Sequence, residues 1–412
     1  MVMQRESAWP MVSVADAQAI IAQRTATPLG TERVLSHQSA GRVVAVAVDA
    51  PADMPAEARA TVDGYALRSS DGDTARRVIA ELTAGGTTRV TLGPGDAVRI
   101  MTGAPLPPGA DAAIMVERTH ERDDILTYTG SVRPGDCVLQ PGSDMRAGEP
   151  VLPVGAVIAP ADVGLLTNIG LRWVQVYRRP IVAVLSTGDE VFPYDSDIPY
   201  GGVRDSNQPA LLAAVTAAGC EAVGMGIVPD DPQLQRERVL HALSRADVVI
   251  SSGGVSMGTR DFIKPLLAEL GTVHFGRIAF KPGKPTMCAS VGQTLVYGLP
   301  GNPVSSLVSF EVFVRPALRR LQGDAQPERP SIPVVIDHPI TPSPDRPEYM
   351  RASVAWRDGA WRATTTGAQG SSRLLSLRGA NALLHVPAGT APYAAGATLT
   401  ALLTDTVTAD FR

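Results

Sequence analysis

Between residues 180 and 322 the sequence alternates strand-like and helix-like segments, and this alternation constrains the fold more than any other feature. Ile181-Val182-Ala183-Val184-Leu185 is a continuous apolar run, which suits a strand covered on both faces. A helix is expected over 209–218, with Asn207 as its cap and Gly219 as its stop. Strands at 223–228 and 248–250 follow, separated by a helix over 232–244. A helix over 261–270, strands at 273–280 and 295–297, and a helix opening at Asn302-Pro303 complete the series. Such alternation predicts a doubly wound α/β sheet with right-handed crossovers.

The flanks have a different texture. A helix is expected from Ser13, a suitable N-cap, through Ile20 and Ile21, ending before Pro28-Leu29-Gly30. From 55 to 140 short β-like runs, 77–80 and 96–101 among them, alternate with Gly and Pro clusters. Residues 142–177 are mixed and are expected to pack with the N-terminal segment. The expected division is therefore a discontinuous N-terminal domain (1–54 and 141–178), a small β-rich domain (55–140), the α/β domain (179–326) and a C-terminal β-barrel-like domain (327–412).

Ligands of doubly wound sheets bind beyond the carboxyl ends of the strands, so the segments found there carry the chemistry. They are Ser186-Thr187-Gly188-Asp189-Glu190, Pro229-Asp230-Asp231, the run Ser251 to Gly258 leading to Asp261, Lys281-Pro282-Gly283-Lys284-Pro285, and Leu299-Pro300-Gly301-Asn302-Pro303. Small hydroxyls and glycines let backbone N–H groups approach an anion, and helix N-termini add a favourable dipole. Lys281 and Lys284 bring positive charge. Asp189, Glu190, Asp230, Asp231 and Asp261 would repel a bare phosphate, which points to bridging Mg2+. Taken singly, each Gly-Gly or Pro-Gly is an ordinary turn, Asp261 an ordinary helix cap and each lysine an ordinary surface residue. Taken together on one rim, they support a magnesium-dependent phosphoryl or pyrophosphate site.

Composition removes several alternatives. With 412 residues the chain exceeds one ordinary core. A formal net charge of −4 gives no basic face for nucleic acid. No apolar run reaches membrane-span length and no signal-peptide core follows Met1, so no membrane role and a cytoplasmic address are expected. Cys137, Cys220 and Cys288 are scattered, as are the six histidines, so neither a disulfide framework nor a soft-ligand metal centre is expected.

The rim motifs Ser186 to Glu190, Ser252 to Gly258, Lys281 to Pro285 and Gly298 to Pro303 resemble the pterin-binding domain of the molybdopterin molybdenumtransferase family, the group of MoeA and the gephyrin E-domain. The flanks extend the resemblance over nearly the whole chain. They contribute Gly41-Arg42-Val43, Asp63-Gly64-Tyr65-Ala66, Arg99 to Pro105 continuing to Glu117, and Gly370-Ser371-Ser372 with Ala380-Asn381-Ala382. The resemblance implies an elongated homodimer whose cleft lies between the pterin-binding domain of one subunit and the Asp-Gly-Tyr-Ala domain of the other. It implies adenylated molybdopterin and molybdate as substrates, Mg2+ as cofactor and AMP as product. The preceding adenylyltransferase and molybdenum-enzyme apoproteins are the partners it suggests.

By that resemblance Asp63, Thr102, Glu190, Asp230, Asp231 and Asp261 are candidate catalytic residues, with Glu190, Asp230, Asp231 and Asp261 as metal ligands. Ser186, Thr187, Gly188, Asp189, Ser252, Gly253, Gly254, Ser256, Gly258, Pro300, Asn302 and Pro303 are candidate substrate contacts. Lys281 and Lys284 would hold phosphate or molybdate oxygens, and Ser371 or Ser372 would reach the cleft from the C-terminal domain. Two segments depart from the family pattern. Glu57-Ala58-Arg59-Ala60 replaces Phe-Asp-x-Ser, and Pro150 replaces an acid after Gly148-Glu149. These departures keep a weakened, molybdopterin-binding or scaffolding paralogue among the readings. An adenylyltransferase, which needs only the α/β domain, is the other alternative.

Overall fold

The computed structural model describes residues 9–86, 89–254 and 262–409. Its central layer has strands β1 (Ile181–Thr187), β2 (Glu221–Val228), β3 (Val248–Ser252), β4 (Thr272–Phe275), β5 (Met287–Val291) and β6 (Thr294–Leu299). Their order across the sheet is β2-β1-β3-β6-β5-β4. The first four in that order are parallel, while β5 runs antiparallel to both neighbours. Helices α1 (Asn207–Ala217), α2 (Pro232–Leu243), α3 (Ile263–Leu270), α4 (Pro303–Ser309) and α5 (Arg315–Leu321) cover it, and a π-helical turn, Phe310–Val314, joins the last two.

The apolar run of β1 is divided between two cores, as its strand periodicity requires. Val182 and Val184 pack with Leu211, Val215 and Phe313, whereas Ala183 and Leu185 pack with Val239, Ala242 and Leu267. The chain reverses direction across the sheet between β1 and β3, so the crevice expected of such a switch point opens at their carboxyl ends.

Three further units surround this layer. A six-stranded sheet carries Gly64–Leu67 between Ala112–Met115 and Asp96–Ile100. A core built from Val44, Val48 and Ala50 with Leu152, Leu166, Val174 and Val176 joins the two separated segments before and after that sheet. In the C-terminal unit, Ser331–Ile336, Glu348–Arg357, Ala360–Thr365, Ala382–Val386 and Thr398–Leu403 close into a five-stranded barrel. No helix among the described residues is long and apolar enough to cross a membrane.

Three local expectations need revision. The Val14–Arg24 helix begins as expected, with the Ser13 hydroxyl accepting from the Asp16 N–H at 3.0 Å. Its Ala17 and Ile21, however, enter the α/β core beside Val312 and Leu321 rather than the N-terminal core, because its apolar stripe needs a partner and finds it there. The strand expected over 273–280 is split. Thr272–Phe275 stays in the sheet, whereas Arg277–Ile278 pairs with Met11–Val12. Helix α1 starts at Asn207 itself, because the carboxylate of Asp205 caps the N–H groups of Asn207 and Gln208 at 3.1 and 3.0 Å.

An aromatic chain couples the barrel to the α/β layer. Phe280 meets Phe313 edge-on at 5.1 Å and Tyr349 at 5.3 Å, and Tyr349 in turn meets His385 at 5.1 Å. Phe313 is fully enclosed, so Phe313→Ala is expected to cost about 3–5 kcal/mol through lost burial and the cavity left behind. Urea unfolding followed by tryptophan fluorescence checks this, and an unchanged midpoint would contradict the packing described.

Candidate functional site

The cleft at the β1/β3 switch point has a volume of about 800 Å³. Its floor is Ser186 and Thr187 at the end of β1 with Gly188 after it, Ser252 at the end of β3 with Gly253 and Gly254 after it, and Pro300 to Pro303 after β6. Glu190 and Asp230 add carboxylates, Pro285 one wall, and Ser372 reaches in from the barrel unit. Gly253 permits the close approach of two of these loops. Its φ is +89°, and a Cβ there would stand 2.7 Å from the carbonyl oxygen of Thr187.

Hydrogen bonds join the strand ends. The Ser186 hydroxyl donates to Asp205 Oδ1 at 3.0 Å, the same oxygen that caps α1. The Asn207 carboxamide donates to Ser252 Oγ and to the Gly301 carbonyl, both at 2.7 Å. Asn302 donates to Ser371 Oγ at 3.2 Å, and the Val304 N–H donates to the Ser371 carbonyl, so the barrel loop is fastened to the start of α4. Asp205 was not singled out from sequence, and Asn207 was expected only as a helix cap and not as a site residue. Their signal was the stretch Arg204-Asp205-Ser206-Asn207, which lies just before the helix and reads as capping alone.

Not every expected residue lines the cleft. Asp231 caps α2, accepting from the Leu234 N–H at 2.8 Å, and the Asp189 carboxylate accepts from the Asp230 N–H at 3.0 Å. Lys281 ion-pairs across the domain seam with Glu348 at 3.1 Å, and Lys284 is exposed; neither is among the lining residues. Ser256, Gly258 and Asp261 lie outside the described residues. A further cation at the seam escaped sequence reading. Arg351 is wholly buried, donates to Ser376 Oγ and to the Gly370 carbonyl, and leaves Nη1 without a partner among the described residues. Burial pulls it below the usual arginine range.

Asp63 and Thr102 form a separate constellation in the small sheet. Asp63 Oδ1 accepts from the Thr102 N–H at 2.7 Å and from the Thr102 hydroxyl at 2.8 Å. Gly64 follows because a Cβ there would sit 1.9 Å from the Ile114 carbonyl oxygen of the neighbouring strand. The segment that departs from the family pattern brackets this turn: Arg59 donates to the Gly103 carbonyl at 2.8 Å, and Gly103 N–H to the Ala60 carbonyl. Pro150 opens a short strand paired with Asp49, a position that needs no N–H.

All three segments of the chain match known families. Residues 12–170 match the MoeA N-terminal region (domain I and II), 183–320 a probable molybdopterin binding domain, and 333–404 the MoeA C-terminal region (domain IV). A molybdopterin molybdenumtransferase from Nostoc is 36% identical over 396 residues, covering 92% of this chain and 91% of that protein. The chain belongs to the MoeA family. A Bacillus subtilis molybdopterin molybdenumtransferase is 32% identical, with 90% of each chain covered. Gephyrin from Dictyostelium discoideum is 34% identical over 93% of this chain, which spans 61% of gephyrin's length. A crystal structure of a MoeA protein from Pyrococcus horikoshii superposes with a TM-score of 0.82 at 29% identity, covering 96% of this chain and all of that one.

Two expectations follow for this MoeA-family site. The Thr102 N–H, and secondarily its hydroxyl, hold the Asp63 carboxyl below its ordinary range. A depressed carboxyl contributes stability that is present above its unfolded pKa and is lost as pH falls through the folded one. Thr102→Val removes only the hydroxyl and should therefore raise the Asp63 pKa part of the way towards the ordinary value, read by a carboxyl-carbon NMR titration; an unmoved titration would deny the hydroxyl its share. Asn207→Asp would replace a donor with an acceptor facing Ser252 Oγ and the Gly301 carbonyl. Hydrogen exchange should then quicken by about tenfold at 250–254 and 299–304, and equal protection in both proteins would show that the bridge does not hold the rim.

Proposed function

We propose that this protein is a molybdopterin molybdenumtransferase, completing the molybdenum cofactor by transferring molybdate-derived metal to the dithiolene of adenylated molybdopterin with release of AMP. The observation that carries the reading is the cleft itself. It is a switch-point crevice of about 800 Å³ rimmed by strand-end hydroxyls and glycines, with a serine from the MoeA C-terminal region at its edge. Small hydroxyls and glycines along this rim let a phosphate-bearing ligand approach closely. Because the dithiolene belongs to the substrate, the scattered cysteines of the chain are no obstacle.

Mg2+ fits the donors present. Glu190 and Asp230 both line the cleft, and no group of three His, Cys, Asp or Glu side chains suited to a metal occurs among the described residues. Mg2+ commonly takes one or two protein carboxylates and completes its shell with water and phosphate oxygens. When bound it would neutralise phosphate charge; Glu190 and Asp230 would hold it, and the rim hydroxyls of Thr187 and Ser252 would face the pyrophosphate. Lys281, Lys284 and Arg351, around the seam with the barrel, supply positive charge for a second oxyanion, which we assign to molybdate.

A homodimer would bring Asp63 and Thr102 of one subunit to the cleft of the other, giving an ionised carboxylate, already oriented by Thr102, access to the bound substrate. The test is turnover of adenylated molybdopterin with Mg2+ and molybdate, followed as AMP. Molybdate-dependent release is expected, falling by about a hundredfold or more in Glu190→Ala or Asp230→Asn. ATP-dependent adenylation of free molybdopterin would point instead to an adenylyltransferase, and binding without turnover to a scaffold.

A further inference from the structure

The electrostatics of the cleft leave one requirement unmet by the residues considered so far. Its described lining includes three carboxylates, Glu190, Asp205 and Asp230, and a single cationic side chain, Arg204. Lys281 is turned to Glu348 and Lys284 lies outside the lining. An anionic ligand in this space therefore depends on Arg204 for side-chain positive charge from the described lining.

Arg204 is built for that task. It ends a two-residue strand, Val203–Arg204, paired with Val191–Phe192. Backbone hydrogen bonds on either side fix its place: Val203 N–H donates to the Glu190 carbonyl at 2.7 Å, and Asp205 N–H to the Phe192 carbonyl at 2.8 Å. The next residue, Asp205, is buried and binds both Ser186 and the start of α1, so the arginine backbone is anchored directly to the rim. Its guanidinium is oriented by one hydrogen bond, from Nε to the Tyr194 carbonyl at 3.0 Å. Both terminal nitrogens remain without a protein partner among the described residues. A planar fork held at its base, with both prongs free in an otherwise acidic cleft, matches two oxygens of a phosphate.

We infer that Arg204 binds the phosphoryl group of the nucleotide part of the ligand through its two terminal nitrogens. This rests on the transferase reading for the identity of the ligand, but not for the existence of a phosphate site. It also separates two duties that sequence had given jointly to the lysines: phosphate falls to Arg204 in the cleft, and the second oxyanion stays at the seam.

The probes are AMP and adenosine, titrated calorimetrically into the full-length protein with Mg2+, for wild type, Arg204→Ala and Arg204→Lys. Thermal melts establish that the variants are folded. Arg204→Ala should weaken AMP binding by about ten- to a hundredfold while leaving adenosine unchanged. Arg204→Lys should lie between, since an ammonium supplies charge without the fork. An AMP affinity within twofold of wild type in Arg204→Ala, or a wild type that binds AMP no better than adenosine, would overturn the assignment. The outcomes separate cleanly from those of turnover. Phosphate binding through Arg204 without AMP release would keep the site and remove the transferase reading, and normal turnover with an indifferent Arg204 would do the reverse.

Discussion

The buried carboxylate of Asp205 is the tie on which the cleft depends. One oxygen receives the Ser186 hydroxyl from the end of β1 and two backbone N–H groups from the start of α1. A carboxylate removed from water must be matched by such donors, and a rim built this way cannot shift one loop without disturbing the others. Asn207 extends the same network to β3 and to the turn after β6. Pre-organisation of this kind suits a site whose work is to hold charged groups in fixed relation.

Much of this was readable in advance, and the reasons differ from residue to residue. The α/β layer was legible because a run such as Val182 to Leu185, buried on alternating sides, has no stable alternative to a covered strand. The rim loops were legible because glycines and hydroxyls recur after consecutive strands. What could not be read was which groups face one another. Asp231 and Asp230 are neighbours in sequence, yet one caps a helix and the other lines the cleft. Lys281 carries the charge expected of it, but Glu348, sixty-seven residues later, claims it. Arg351 gave no local signal, since its significance lies wholly in being enclosed with one nitrogen unmatched among the described residues. Helix α1 was misplaced by two residues because a carboxylate upstream of Asn207 outcompeted it as the cap.

The two departures from the family pattern meet different local conditions. Arg59 makes a backbone contact of its own beside the Thr102 turn, with Glu57 of the same segment as its ion-pair partner. Pro150 stands where a short strand begins and no ladder N–H is lost. Neither disrupts the framework around it.

The docking of the Val14–Arg24 helix bears on the order in which the molecule can be assembled. That helix leaves the ribosome about three hundred residues before the surface that receives it, around Val312 to Leu321. At typical synthesis rates of about 5–20 residues per second, its apolar stripe waits on the order of tens of seconds for a partner. The nascent chain thus carries Ala17, Ile20 and Ile21 without their native cover while two intervening units form. Completion of the central layer is consequently a late event, closed between a helix made well before that layer and nearly the last segment of the layer itself.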